Sequence, residues 1–142
     1  MEKTRLPDDI RALNARLLAE PELTENMGPV HVLTVLGRTT GKPRATPVSP
    51  VSYAGHRWLI AGWPDADWVK NLRSRASATL TKGTRVEQIR AMEVSPEAGA
   101  PALRAFVRER GGGPYAFNLD PNAPLEAFVA EVEQHPVFQI LD

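Results

Sequence analysis

Short segments rich in β-branched residues occupy most of the chain between positions 30 and 94, and each ends at glycine, proline or another turn residue. Segments of this kind predict β-strands of ordinary length. The pattern gives five of them, at 30–36, 44–53, 57–61, 78–82 and 86–94. The turns at 54–56 and 82–84 are short enough to join antiparallel neighbours, so we predict an antiparallel meander.

Apolar residues at helical spacing predict four helices beside these strands. The first covers 8–19, and its apolar face consists of Ile10, Leu13, Leu17 and Leu18. The others cover 65–75, 96–110 and 125–133, and an apolar tail follows at 136–140. We interpret the first helix as packed on the core, with a mobile lid or a membrane-surface helix as the alternative.

Together these elements predict an α+β fold, a small closed or half-closed antiparallel barrel with flanking helices. A chain of 142 residues can bury a core of its own. We therefore expect a single domain over 1–142, with the helix at about 8–19, the barrel at about 30–94 and a helical part at about 96–142.

The composition excludes several kinds of site. The chain contains no cysteine, so it has no thiol nucleophile, disulfide or zinc–thiolate centre. Its three histidines are far apart and lack the i, i+4 spacing of a helical metal pair, so we expect no metal. The formal net charge of +0 gives no attraction to nucleic acid. No apolar run reaches the ~20 residues of a membrane span, and we expect a cytoplasmic protein.

The turn between the first two predicted strands is unusually rich in groups that bind anions. Between positions 37 and 44 it contains Gly37, Arg38, Thr39, Thr40, Gly41, Lys42 and Arg44. Glycines allow backbone N–H groups to converge, arginine forks onto phosphate oxygens, and the hydroxyls add neutral donors. This combination suits a phosphate or polycarboxylate group, although a plain solvated turn is the alternative.

The strand that follows this turn contains Pro47 and Pro50, which a central strand excludes because proline donates no ladder hydrogen bond. We therefore predict an edge or bulged strand. Its alternation places Arg44, Thr46 and Val48 on one face, so a ligand held at Arg44 would continue along the strand.

Gly62 ends the third predicted strand, and its missing side chain lets a flat ring approach the backbone. Trp63 is open to a ligand role, whereas the helical stripe that Trp68 shares with Leu72 favours a core position for Trp68.

We expect the helix that follows to begin with Asp65 or Asp67 as its cap. Carboxylates at a helix start oppose a phosphate there, so the anion site belongs at the basic turn. Lys70 or Arg73 would reach in from the body of the helix.

Three segments carry a resemblance to a known family: LTVLGRTTGKPR at 33–44, ADWVKNLR at 66–73 and HPVF at 135–138. Their order and separation resemble the deazaflavin-dependent nitroreductase family, from about position 28 to the C-terminus. The resemblance implies a split β-barrel of the flavin-reductase and pyridoxamine-phosphate-oxidase type. It also implies 8-hydroxy-5-deazaflavin, coenzyme F-420, as the cofactor.

The resemblance assigns roles to particular residues of this chain. The phosphate of the cofactor would be bound by Arg38, Thr39, Thr40, Lys42 and Arg44. The ring would be lined by Thr46, Pro47 and Val48 and by the backbone of Ala61, Gly62 and Trp63. The site would be closed by the helix that carries Trp68, Asn71 and Arg73.

The implied function is an oxidoreductase that passes a hydride from reduced deazaflavin to a nitro compound, a quinone or an unsaturated carbonyl. An FMN-dependent oxidoreductase of the same fold is one alternative, and a non-catalytic carrier of deazaflavin or another anionic ligand is the other. No catalytic acid–base pair is evident, and Tyr115 is the available candidate for a proton donor. The sequence leaves a monomer and a homodimer open.

Overall fold

The computed structural model describes residues 8–110 and 119–141 of the chain. Its helices are α1 (Asp8–Ala19), a 3-10 helix (Pro21–Asn26), α2 (Asp67–Arg75), α3 (Pro96–Arg110) and α4 (Leu125–Glu131). Its strands are β1 (His31–Leu36), β2 (Pro43–Val48), β3 (Val51–Tyr53), β4 (His56–Ile60), β5 (Ser77–Lys82), β6 (Arg85–Glu93) and β7 (Val137–Leu141). Both α1 and α3 have the predicted bounds, whereas the 3-10 helix was not predicted.

The seven strands form one sheet in the order β2-β1-β5-β6-β7-β4-β3. Every pairing in it is antiparallel, which confirms the α+β class with flanking helices. The order is not the sequential one of a plain meander. The C-terminal tail forms β7 and lies between β6 and β4, so β4 and β5 are not neighbours as their sequence order suggests.

The predicted strand at 44–53 is two strands, and the break between them shapes the sheet. Only Ser49 and Pro50 separate β2 from β3, although these strands form the two opposite edges. Val48 and Val51 are three residues apart and therefore within about 11 Å, so the sheet must curl until its two edges approach each other at this corner, as in a half-closed barrel. Arg110 holds this corner by donating to the carbonyl oxygens of Ser49 and Pro50, each at 2.5 Å.

Aliphatic side chains from β1, β4, β5, β6, β7 and α2 fill the interior of the barrel. A second apolar cluster lies between the pair α3 and α4 and the sheet, and it includes residues of β3, β4 and β7. Gly99 allows α3 to approach β7, because a Cβ at Gly99 would lie 3.0 Å from the Cβ of Val137. Among the described residues, no helix is long and apolar enough to span a bilayer.

The N-terminal segment is tied to the hairpin of β5 and β6. Lys82 donates from Nζ to the carbonyl oxygens of Thr24, Gly28 and Val30, the last at 2.9 Å. The Gly83 N–H donates to Oγ1 of Thr24 at 2.8 Å. All three ammonium donors of Lys82 therefore hold the segment between α1 and β1.

The apolar face of α1 is only partly buried. Leu17 is 2% exposed, as a helix packed on the core requires, but Leu13 and Leu18 are 41% and 40% exposed. The helix lies beside β2, the exposed edge of the sheet. Part of the apolar face of α1 is therefore free to line a cavity beside β2 and does not belong to the core.

Candidate functional site

A cavity of about 730 Å³, here called the main cavity, opens along β2. It is bounded by the N-terminal segment, the turn between β1 and β2, the start of α2 and the end of α3. Its volume lies within the roughly 300–1,000 Å³ of ordinary ligand pockets. From Arg44 to Ser49 its wall follows β2 for about 16 Å, at about 3.3 Å per residue.

The turn between β1 and β2 is closed by its own backbone. The Gly37 N–H donates to the carbonyl of Lys42 at 2.8 Å, and the Gly41 N–H donates to the carbonyl of Gly37 at 2.9 Å. Gly41 has φ +71, and a Cβ at Gly37 would lie 2.9 Å from Oγ1 of Thr40. Both glycines are therefore required by a turn this tight.

This turn presents cations at one end of the main cavity, here called the polar end. It comprises Arg38, Thr39, Thr40, Arg44 and Asn71. The Arg44 side chain is exposed, and it forms no ion pair with any carboxylate whose side chain the structure describes. Its guanidinium is therefore available to an anionic ligand, whereas Lys42 lies in the same turn but does not line the cavity.

The start of α2 differs from the predicted carboxylate cap. Its N-cap is Ala66, which makes no side-chain cap hydrogen bond, and Asp67 is the first helical residue. Ala66 is 1% exposed because it packs in the barrel core. The Asp67 carboxylate instead faces the polar end, with Oδ1 3.9 Å from Nη2 of Arg38. Both side chains are substantially exposed, so this ion pair contributes little to stability.

Beyond the polar end, aromatic rings border the main cavity. Trp63 and Trp68 both line it while they pack against the barrel core. The Trp68 ring lies 5.6 Å from the ring of Phe138 with an interplanar angle of 51°. Trp68 is thus partly buried against the core, on the side that its stripe predicts, and also forms part of the cavity wall.

The backbone between Ala61 and Gly62 is fixed by His135, which sequence reasoning used only as part of a motif. Nδ1 of His135 lies 3.0 Å from the Ala61 carbonyl oxygen, and the Ala61 N–H donates to the carbonyl of Pro136 at 2.9 Å. A carbonyl only accepts, so His135 carries a proton on Nδ1. Burial lowers the pKa of His135 below its usual value, although the nearby Glu131 carboxylate opposes this shift.

The other end of the main cavity, here called the apolar end, lies where Ser49 follows β2. It is lined by Met27, Val30, Ile60 and Phe106. Leu13 and Leu17 of α1 also line the cavity, so the half-exposed face of α1 forms part of its wall. Arg110 lies at this end, 5.0 Å above the Phe106 ring, and burial lowers its pKa.

The structure brings most of the predicted site residues together. The main cavity is lined by Arg38, Thr39, Thr40, Arg44, Thr46, Pro47, Val48, Gly62, Trp63, Trp68 and Asn71. Every position from Arg44 to Ser49 lines it rather than alternate ones, because an edge strand exposes its whole length. Tyr115, the candidate proton donor, lies outside the described residues.

Three predicted residues lie elsewhere. Ala61 is fully buried, and Lys42 is exposed and does not line the cavity. Arg73 forms a two-bond pair with Glu93 of β6, at 2.7 and 2.8 Å, and borders a separate cavity of about 250 Å³ between α2 and the sheet. Helical spacing explains this: Arg73 is two positions from Asn71 and so faces another side of α2.

Sequence reasoning missed the wall that α1, the 3-10 helix region and the end of α3 supply. The signal in the sequence was the short apolar face of α1, and the structure leaves Leu13 and Leu18 of this face about half-exposed. For Arg110 no local signal existed, since its partners are sixty and sixty-one residues away.

Comparison with solved structures identifies the class of fold. One similar chain, described as a domain-swapped dimer, has a TM-score of 0.58 at 19% identity and covers 94% of this chain and 98% of its own. An F420-H2 dependent reductase, FDR-A, has a TM-score of 0.57 at 19% identity and covers 80% and 95%. HutZ, a haem storage protein of Vibrio cholerae, has a TM-score of 0.56 at 10% identity and covers 96% and 89%. These likenesses define the fold as a split barrel.

The family is defined by sequence. The model of the F420H(2)-dependent quinone reductase family matches residues 12–129, and the chain belongs to this family. No curated protein matches the sequence at a significant level. The family transfers a hydride from reduced F-420 to quinone-type acceptors, which confirms the predicted deazaflavin-dependent oxidoreductase and its cofactor.

The residues of the main cavity fit F-420. At one end, two guanidinium groups and two hydroxyls offer the donors that a phosphate requires. Beyond them, two tryptophans and the bare backbone of Gly62 offer a surface for a flat ring. The cavity volume is also in the range of a cofactor site.

Proposed function

We propose that the main cavity binds F-420 and that the protein reduces a quinone-type acceptor there. The anionic part of the cofactor lies at the polar end, against Arg38, Thr39, Thr40 and Arg44. The ring lies against Thr46, Pro47 and Val48 of β2, beside Gly62 and Trp63. The observation that carries this proposal is that one cavity combines a cation-rich end with an aromatic and apolar remainder.

Bound reduced F-420 supplies the hydride, so the chain itself need only bind, orient and exclude water. The corner held by Arg110 and the backbone held by His135 keep β2 and Gly62 in fixed positions on the cavity wall. The apolar end, with Val30, Ile60 and Phe106, accommodates the acceptor and limits the entry of water. Small misplacements of reacting groups cost much rate, so rigid walls matter here.

An FMN enzyme is the second candidate, since FMN also combines a flat ring with a phosphate. The polar end favours F-420, because Arg38 and Arg44 both line it and together can hold a longer anionic tail. A non-catalytic carrier would use the same contacts without turnover. We propose the cytoplasm as the compartment in which the reaction occurs.

Titration of the purified protein with F-420 and with FMN, followed by tryptophan fluorescence, tests this proposal. We expect F-420 to bind at least about tenfold more tightly, since one further charge-assisted contact contributes about that factor. Quenching should fall in Trp63→Phe, because Trp63 lines the cavity. It should persist in Trp58→Phe, whose indole is buried elsewhere and donates to the Tyr53 carbonyl. Tighter binding of FMN, or equal quenching in all three proteins, would reject the assignment.

A further inference from the structure

Asn71 lies between α2 and the basic turn, and its side chain makes an unusual pair of contacts. The residue is 2% exposed. Its Oδ1 accepts hydrogen bonds from the backbone N–H of Arg38 at 3.0 Å and from Nη1 of the same Arg38 at 2.8 Å. One buried amide oxygen therefore holds both the backbone and the guanidinium of a residue that is 33 positions away in the chain.

The helix that carries Asn71 is well anchored. Val69 and Leu72 on either side of it are at most 1% exposed, and both belong to the barrel core. A second contact joins the same helix to the turn, since Nη2 of Arg75 donates to the Gly37 carbonyl at 3.4 Å. The position of the turn is thus set by α2 and not by the turn alone.

Arg38 has capacity left for a ligand while it is held in this way. Its side chain is 38% exposed and lines the main cavity, and a guanidinium offers five N–H donors. A free arginine side chain loses rotamer freedom when it binds a ligand, and one that is already held loses less. The same carboxamide cannot do this for Arg44, which it does not contact.

We propose that Asn71 is a positioning residue that acts through Arg38: it orients the guanidinium toward the anionic part of the cofactor. This inference rests on the proposed function, because it takes the polar end to be the F-420 phosphate site. It changes the role that the family resemblance assigns to Asn71, from a cofactor contact to the support of one.

A double-mutant cycle on F-420 affinity tests the proposal. We expect Asn71→Ala to weaken binding about tenfold, within the range of coupling between contacting residues. In an Arg38→Ala background the same substitution should change affinity less than about twofold, since its target is gone. In an Arg44→Ala background it should retain its full tenfold effect. Ser74→Ala, an exposed change on the same helix, is the matched control and should leave affinity unaltered.

Two further measurements extend this test, and the first does not require the Asn71→Ala variant to fold. Arg38→Lys keeps the charge on an exposed side chain but loses the guanidinium geometry, so it should bind F-420 about fivefold more weakly. Amide hydrogen exchange in the protein without cofactor should show protection of the Arg38 N–H, and this protection should fall in Asn71→Ala.

The outcomes separate this inference from the proposed function. A full tenfold effect of Asn71→Ala in the Arg38→Ala background would make Asn71 a direct contact and overturn the inference alone. Wild-type affinity in Arg38→Lys would do the same. Unchanged affinity in Arg38→Ala and Arg44→Ala would overturn the phosphate site, and the inference with it.

Discussion

Arg44→Ala is expected to weaken F-420 binding by ten- to more than a hundredfold. The Arg44 guanidinium lines the polar end, is exposed, and forms no ion pair in the described part of the chain. If it forks onto the phosphate, its loss removes charge-assisted hydrogen bonds that contribute about 1.5–3 kcal/mol. Each 1.4 kcal/mol is about a factor of ten in affinity. The free energy of unfolding should change by less than about 0.5 kcal/mol, because no ion pair among the described side chains is lost.

Lys42→Ala is the matched control for Arg44→Ala. Lys42 carries the same charge in the same turn, but its side chain does not line the cavity. We expect its loss to weaken binding by less than about threefold, through a long-range attraction that salt screens. Affinity and thermal unfolding, measured at two salt concentrations, distinguish the two variants. Equal losses for both would show a diffuse charge effect in place of a phosphate site.

Phe138→Ala is expected to have the largest effect on stability. Phe138 is 1% exposed in the barrel core and packs against Trp68, so its removal leaves a cavity among side chains from several strands. Such truncations cost about 3–5 kcal/mol. For a chain of this size, each kcal/mol lowers the melting temperature by about 2–4 °C, so we expect a decrease of about 10 °C.

Met92→Ala tests the same kind of truncation on the surface. Met92 lies on the neighbouring strand β6 and is 58% exposed. We expect its free energy of unfolding to stay within about 0.5 kcal/mol of the wild type. Calorimetric unfolding of both variants is the measurement. A wild-type melting temperature for Phe138→Ala would mean that the barrel core does not pack as described.

Sequence patterns predicted the helices and strands well, because the apolar spacing and turn residues that define them lie within each segment. The apolar spacing and flanking prolines of α1 and the apolar stripe of α3 fix both helices to the residue. The basic turn was predicted as an anion site from its glycines and cations alone, and the structure places most of those side chains on one cavity.

The pairing of the strands was less accessible, because it depends on contacts between distant residues. The break at Ser49 and Pro50 separates strands that belong to opposite edges, although a continuous β-pattern runs across it. The apolar tail gave no sign that β7 lies between β6 and β4. Hydrophobic periodicity states which face of a strand is buried, but not which strand lies beside it.

The candidate site was also predicted only where its residues are close together in the sequence. The residues of the basic turn and of β2 were predicted as one site because they are neighbours in the sequence. The part of the cavity wall that α1 and Arg110 form depends on tertiary packing, so local patterns did not predict it. Arg73 shows the reverse error, since its family motif is intact but its side chain pairs with Glu93 on another face of α2. A motif identifies candidates, and the direction of each side chain decides which of them reach the ligand.

Single-turnover oxidation of reduced F-420 by a short-chain quinone tests the central claim most directly. The wild-type protein, mixed anaerobically with one equivalent of reduced F-420, should return it to the oxidised form on addition of quinone, as followed by the absorbance of the cofactor. At subsaturating F-420, Arg44→Ala should react more slowly in proportion to its lost affinity, and saturation should restore the rate. An absence of oxidation by the wild type, or a rate in Arg44→Ala equal to the wild type at every F-420 concentration, would contradict a hydride transfer in this cavity.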